Sequence, residues 1–194
     1  MEKNCKEPNR RKKKKKEEEP QILWILRIFF IAITLSALLS LLSEAVLGNA
    51  GLIVALLVLA VFIGLGILFD ILGVAVTAAD ARPFHSMAAH KAKGAAESIR
   101  LLNNAERVSS ICNDVVGDIC GIVSGTTAAV IVLRINAMLP MVPALVLSVA
   151  VTALISGLTI GGKALGKNIA ITQSTKVVYL AGRVIHVFRP VRKR

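Results

Sequence analysis

Long apolar stretches alternate along this chain with short segments crowded with lysine and arginine. Ile22 to Leu47 is interrupted only by Arg27 and Glu44, and Leu52 to Thr77 only by Asp70. Ile111 to Leu133 is more polar at its start, and Leu139 to Ile160 carries no charge. A bilayer core of roughly 30 Å takes about twenty helical residues at about 1.5 Å of rise each. Each stretch reaches that length, and in lipid the backbone has to satisfy its own polar groups, which selects helix. The pattern predicts an all-α polytopic membrane protein with about four transmembrane helices.

Composition agrees. Of the 194 residues 55% are hydrophobic and 19% charged, with a mean hydropathy of +0.68, more apolar than a soluble domain of this length. A cleavable signal peptide competes for the N-terminus, but the apolar run after Gln21 is too long for a signal core. Cys5, Cys112 and Cys120 make no disulfide framework, because Cys112 and Cys120 stand two turns apart on one helix.

The net charge of +12 orients the spans. Arg10, Arg11, Lys12, Lys13, Lys14, Lys15 and Lys16 belong on the cytosolic side by the positive-inside rule. Asn49-Ala50-Gly51 carries no basic residue and suits an external turn, whereas Arg82, Lys91, Lys93, Arg100 and Arg107 return the middle segment inside. Arg134 to Met138 is expected as a second external turn, and Lys163, Lys167, Lys176, Arg183, Arg189 and Arg192-Lys193-Arg194 bring the end inside again. Both termini are therefore expected in the cytosol of a cell-membrane protein.

Residues 1–20 lack apolar content and are expected to be disordered. The basic run there either only sets orientation or also binds anionic headgroups or a partner. Residues 83–104 read as a cytosolic interfacial helix, with Phe84, Met87, Ala88, Ala95, Ile99 and Leu102 at helical spacing. Residues 174–194 read as a second amphipathic helix, from Val177 to Phe188 with Pro190 as its stop. A strand or an irregular tail is the alternative there.

Ionisable groups inside spans are costly and tend to face protein or a water-filled cavity. Arg27 can snorkel from the inner end of its span. Glu44 extends the four-residue stripe of Ser36 and Ser40 and reads as packing against neighbours. Asp70 falls about 10 Å, Asp114 about 7 Å and Asp118 about 14 Å from the inner ends of their spans. Asp114 and Asp118 share a face, with Ser110 and Asn113 beside them. Carboxylate, amide and hydroxyl oxygens are the ligands a hard cation such as Mg2+ prefers. Asp70, Asn113, Asp114 and Asp118 are thus candidate metal ligands. Neutralisation by the basic loop, or helix capping, is the other account of the acids.

Gly117, Gly121 and Gly125 repeat every four residues, a spacing that lets helices approach closely within or between chains. Ser124, Thr126 and Thr127 add hydroxyls able to bond across such a contact. No zinc arrangement surrounds His85, His90 or His186, and no nucleophile elbow or phosphate loop is present. An enzyme is not expected, nor a nucleic-acid partner.

From Phe69 onward the chain resembles the transmembrane domain of the CNNM/CorC (CorB) family, which is associated with magnesium transport or efflux. Phe69-Asp70-Ile71-Leu72-Gly73-Val74-Ala75-Val76-Thr77 looks like the family's F-S-x-S-E-T-A-L-T. Lys93-Gly94-Ala95 and Leu101-Leu102-Asn103-Asn104-Ala105-Glu106-Arg107-Val108-Ser109-Ser110 look like its K-G-A and L-L-x-x-P-E-R-L-L-S. Gly162-Lys163-Ala164-Leu165-Gly166-Lys167 looks like G-E-I-L-P-K. The metal-site positions depart: Asp70 and Leu72 replace serines, Gly73 and Lys163 replace acids, and Gly117-Asp118 answers to the family's G-N only with two residues inserted.

The resemblance implies a three-span domain over residues 50–172, a homodimer, and a bound or transported Mg2+. Residues 21–48 form an added span that turns the N-terminus inward. The family's CBS domains do not follow, so regulation of that kind is expected from another protein or not at all. Two functions are expected: divalent-cation handling at a cytosol-facing acidic cavity, or a transport-inactive relative serving as scaffold or partner of another membrane protein.

Overall fold

The computed structural model describes residues 21–48 and 51–188. The basic run Arg10 to Lys16, the Asn49-Ala50 link and the Pro190 stop lie outside the described residues. The described chain is helical throughout: α1 (Gln21–Leu47), α2 (Leu52–Ala78), α3 (Arg82–Ala89), α4 (Ala95–Leu102), α5 (Ala105–Ser110), a π-helical segment (Ile111–Gly117), α6 (Asp118–Met138), α7 (Ala144–Thr172) and α8 (Ser174–Phe188). Four stretches are long and apolar enough to cross a membrane: Ile22–Leu47, Leu52–Ala78, Ala105–Met138 and Ala144–Thr172. The protein is an all-α polytopic membrane protein.

Lipid tails are as apolar as leucine, so such helices are held together by close packing and by polar ties. The packing centres on α2, which touches α5, α6, α7, α8 and the π-helical segment. Gly162 and Gly166 of α7 receive Ile67 and Ile71 of α2, and a methyl group at position 166 would stand 2.7 Å from the Ile71 Cγ1. Gly66 of α2 meets the Cys120 side chain of α6 in the same way. Phe62, Val115, Ile119, Cys120 and Val123 fill the middle of the bundle, with Ile28, Ala32, Leu35 and Leu39 of α1 laid over them. Most of α1 remains outside: Ile25, Phe29, Phe30, Ile33 and Leu38 are all exposed, as suits a helix that faces lipid.

One end of the bundle carries Arg82, Lys91, Lys93, Arg100, Arg107, Lys176 and Arg183 and is here called the basic end. There α3, α4 and α8 wrap the terminus of α2 around the fully buried Phe84, with Ala75, Val76, Ala170 and Val178. The helix expected over 83–104 is in fact two, α3 and α4, separated at His90 to Gly94. Gly94 has φ +90°, and a Cβ there would fall 2.7 Å from the Arg183 backbone nitrogen. Close approach of α8 and a left-handed residue together break the helix, and glycine permits both. These helices pack on the bundle and on each other, rather than as one flat interfacial rod.

Two span boundaries also move. Arg134 to Met138, expected as a turn, is the last part of α6, and the reversal lies at residues 139–143. Pro140 and Pro143 place it there, since proline lacks the N–H of a helix interior but suits its start. The fourth span accordingly begins at Ala144 instead of Leu139 and runs past Lys163 and Lys167 to Thr172.

Candidate functional site

The third span is continuous from Ala105 to Met138, but its hydrogen-bond pattern widens to the π form over Ile111–Gly117. A π turn carries an extra residue, re-aims the side chains around it and is frequent at functional sites. The only trace of it in the sequence is a run of weak helix formers, Cys112-Asn113-Asp114-Val115-Val116-Gly117. Asn113 and Asp114 both lie in this segment.

Each of these side chains bonds one turn back. Asn113 Nδ2 donates to Ser109 Oγ at 3.3 Å, and Ser110 Oγ donates to Asp114 Oδ2 at 2.8 Å. Asn113 then rests on α2 at Gly73, where a Cβ would fall 2.7 Å from the Asn113 Cγ. Glycine at 73 is what lets the amide in. In that seat Asn113 Oδ1 is buried and has no hydrogen-bond partner. Such a group costs about 1–3 kcal/mol, and a buried polar atom left unpaired calls for an explanation.

The aspartates are more open. Asp70 stands three residues before Gly73 on α2 and is half-buried, while Asp114 and Asp118 are exposed. Among the described residues no group of three or more His, Cys, Asp or Glu side chains could hold a metal ion. Asp70, Asp114 and Asp118 therefore do not close into one shell in this conformation. From α7, Lys163 Nζ reaches to 3.8 Å from where a Gly117 side chain would begin, which sets a positive charge beside the π-helical segment. The donors fit a hard cation in part: one unpaired amide oxygen is ready, and the carboxylates would have to turn towards it or act through water.

Of the glycine series, Gly117 is buried at this contact, but a Cβ at Gly121 or Gly125 would meet nothing within 4 Å. Among the described residues nothing packs against those two positions. The close approaches are made at Gly162 and Gly166, whose own four-residue spacing is the signal that would have found them. The hydroxyls able to bond across helices mostly turn back: Ser124 donates to the Cys120 carbonyl, and Thr126 and Thr127 both donate to that of Val123. Among the described residues, Thr127 alone of the three reaches a hydroxyl of another helix, at Ser43 of α1, with the oxygens 3.4 Å apart.

At the basic end a second polar contact escaped the sequence. His186 Nδ1 of α8 lies 2.6 Å from Glu97 Oε1 of α4, and the Glu97 side chain is only 3% exposed. Ser98 Oγ beside it bonds the carbonyls of Gly94 and Val178, so α4 and α8 are joined by polar ties as well as by packing.

No model of a known protein family, no curated protein and no solved structure matches this chain.

Proposed function

We propose that this membrane protein handles a divalent cation, with Mg2+ the first candidate, at the π-helical segment of its third span. The observation that carries the proposal is the buried, unpartnered Asn113 Oδ1, an acceptor without a donor in a helix otherwise well satisfied. Asp70, three residues before Gly73, and Asp118, five after Asn113, are the carboxylates that would complete a water-assisted site, as Mg2+ often keeps several of its waters. With the basic end in the cytosol, as the charge rule suggests, the site would open inward and both termini would lie on the cytosolic side of a cell membrane. A second copy is the proposed cover for Gly121 and Gly125. The test is Mg2+ flux into liposomes holding the purified protein, with Asn113→Ala, Asp70→Ala and Asp118→Ala alongside. Flux that falls in these variants supports the proposal, and flux no greater than in empty liposomes overturns it.

Lys163 favours a second function. An ammonium group held beside Gly117 can serve as a tethered cation, leaving a transport-inactive relative that acts as scaffold or regulatory partner of another membrane protein. Under this alternative the protein moves no ion and copurifies with a membrane partner from native cells. Recovery of the protein alone, together with measurable flux, removes it.

A further inference from the structure

At the end of the bundle opposite the basic end, α1 and α6 part to leave a cavity of about 250 Å3. Its polar lining comes from Ser40, Ser43 and Glu44 of α1 and from Thr126, Thr127 and Arg134 of α6. This cavity lies apart from the π-helical segment and is lined on one side by α1. The stripe of Ser36, Ser40 and Glu44, expected to pack on neighbours, instead has its carboxylate exposed, and Ser43 is the serine that is buried.

The chemistry of the lining is mostly that of acceptors. Thr126 and Thr127 spend their protons on the Val123 carbonyl, which leaves oxygen lone pairs for any donor in the cavity. The Glu44 carboxylate has no hydrogen-bond or ion-pair partner among the described residues. A carboxylate with hydroxyl oxygens suits an ammonium group. Arg134 lines the same cavity and also donates to the Leu47 carbonyl. Its guanidinium would repel a bare cation but would attract an ammonium carried next to a phosphate, since guanidinium groups favour phosphate oxygens.

Position selects the source. Glu44 lies three residues before the end of α1, and Arg134 four before the end of α6. Both are therefore about one turn, roughly 5 Å, from the helix ends, the level at which phospholipid headgroups meet the hydrocarbon. Leu41, next to Ser40 on α1, and Leu133, next to Arg134 on α6, are both exposed, where acyl chains would lie. We infer that this cavity binds the headgroup of an aminophospholipid, phosphatidylethanolamine, with its ammonium on Glu44 and the hydroxyl oxygens and its phosphate towards Arg134.

The test is lipid retention by the full chain, measured by native mass spectrometry after reconstitution with equal amounts of phosphatidylethanolamine, phosphatidylcholine and phosphatidylglycerol. Phosphatidylethanolamine should be retained over phosphatidylcholine, whose trimethylammonium donates no hydrogen bond, and over phosphatidylglycerol, which has no ammonium. Glu44→Gln should lower its retention roughly tenfold, and Thr126→Val, which keeps shape but removes an acceptor, should lower it less. Equal retention of the three lipids, or no change in Glu44→Gln, overturns the inference. Soluble glycerophosphoethanolamine that competes as well as the lipid would show a site for the free phosphodiester and overturn the lipid assignment. None of these outcomes bears on ion flux, so the two proposals fail separately.

Discussion

Gly73 on α2 and Asn113 in the π-helical segment touch so closely that a methyl group at position 73 would lie 2.7 Å from the Asn113 Cγ and closer still to its Oδ1. The missing side chain of one residue is the seat of the other. Gly73→Ala should therefore destabilise the protein by about 1–3 kcal/mol, the usual cost of overpacking. Asn113→Ala in the same chain should restore most of the loss, because the clash goes with the amide. A thermal-stability cycle in detergent checks this, and additive losses from the two substitutions would show that the residues do not compete for one space.

The union of α4 with α8 rests on a similar absence. A Cβ at Gly182 would lie 2.5 Å from the Gly94 carbonyl oxygen, which is backbone and cannot step aside. Gly182→Ala should lift α8 away and expose Phe84 and Val178. The expected outcome is faster hydrogen exchange in α8, with the spans unchanged. Ser98→Ala, which loses only the bonds to the Gly94 and Val178 carbonyls, should give a smaller effect, about 1 kcal/mol.

Gly121 and Gly125 are exposed, with none of the described residues within 4 Å of a Cβ at either. Gly121→Leu and Gly125→Leu should leave the stability of the monomer within about 0.5 kcal/mol, as for surface substitutions. Self-association in detergent or nanodiscs, followed by crosslinking yield, should fall in both. A crosslinking yield equal to that of the parent chain would remove these glycines from any contact between copies.

The spans were legible because lipid allows so few solutions: apolar length reads directly as helix. Boundaries were less legible. Lys163 and Lys167 looked like the end of a span, yet long side chains can carry their charge away from the helix axis, and α7 continues past both to Thr172. Glycine spacing was legible, but not which series packs inside the chain: Gly121 and Gly125 have the same period as Gly162 and Gly166, and among the described residues only the facing residues, Ile67 and Ile71, distinguish them. The π-helical segment has no period of its own in the sequence, because it depends on one inserted backbone position. The seat of Asn113 at Gly73 and the Glu97–His186 contact join residues distant in sequence, which helix periodicity does not encode.

Lys163 is the residue on which the two proposed functions divide. Its ammonium sits beside Gly117, the last residue of the π-helical segment that holds Asn113. If the segment binds a divalent cation, that fixed charge opposes binding, and replacing it with a carboxylate both removes the repulsion and adds a ligand. Lys163→Glu should then bind Mg2+ at least about tenfold more tightly, a change of about 1.4 kcal/mol. The effect is readable as a larger rise in thermal stability on adding Mg2+, since a ligand that binds only the folded state stabilises it by mass action. Lys163→Met, which removes the charge without adding an oxygen, should show part of the gain. A chain in which both variants respond to Mg2+ as weakly as the parent has no cation site at this segment, and the scaffold function would then stand.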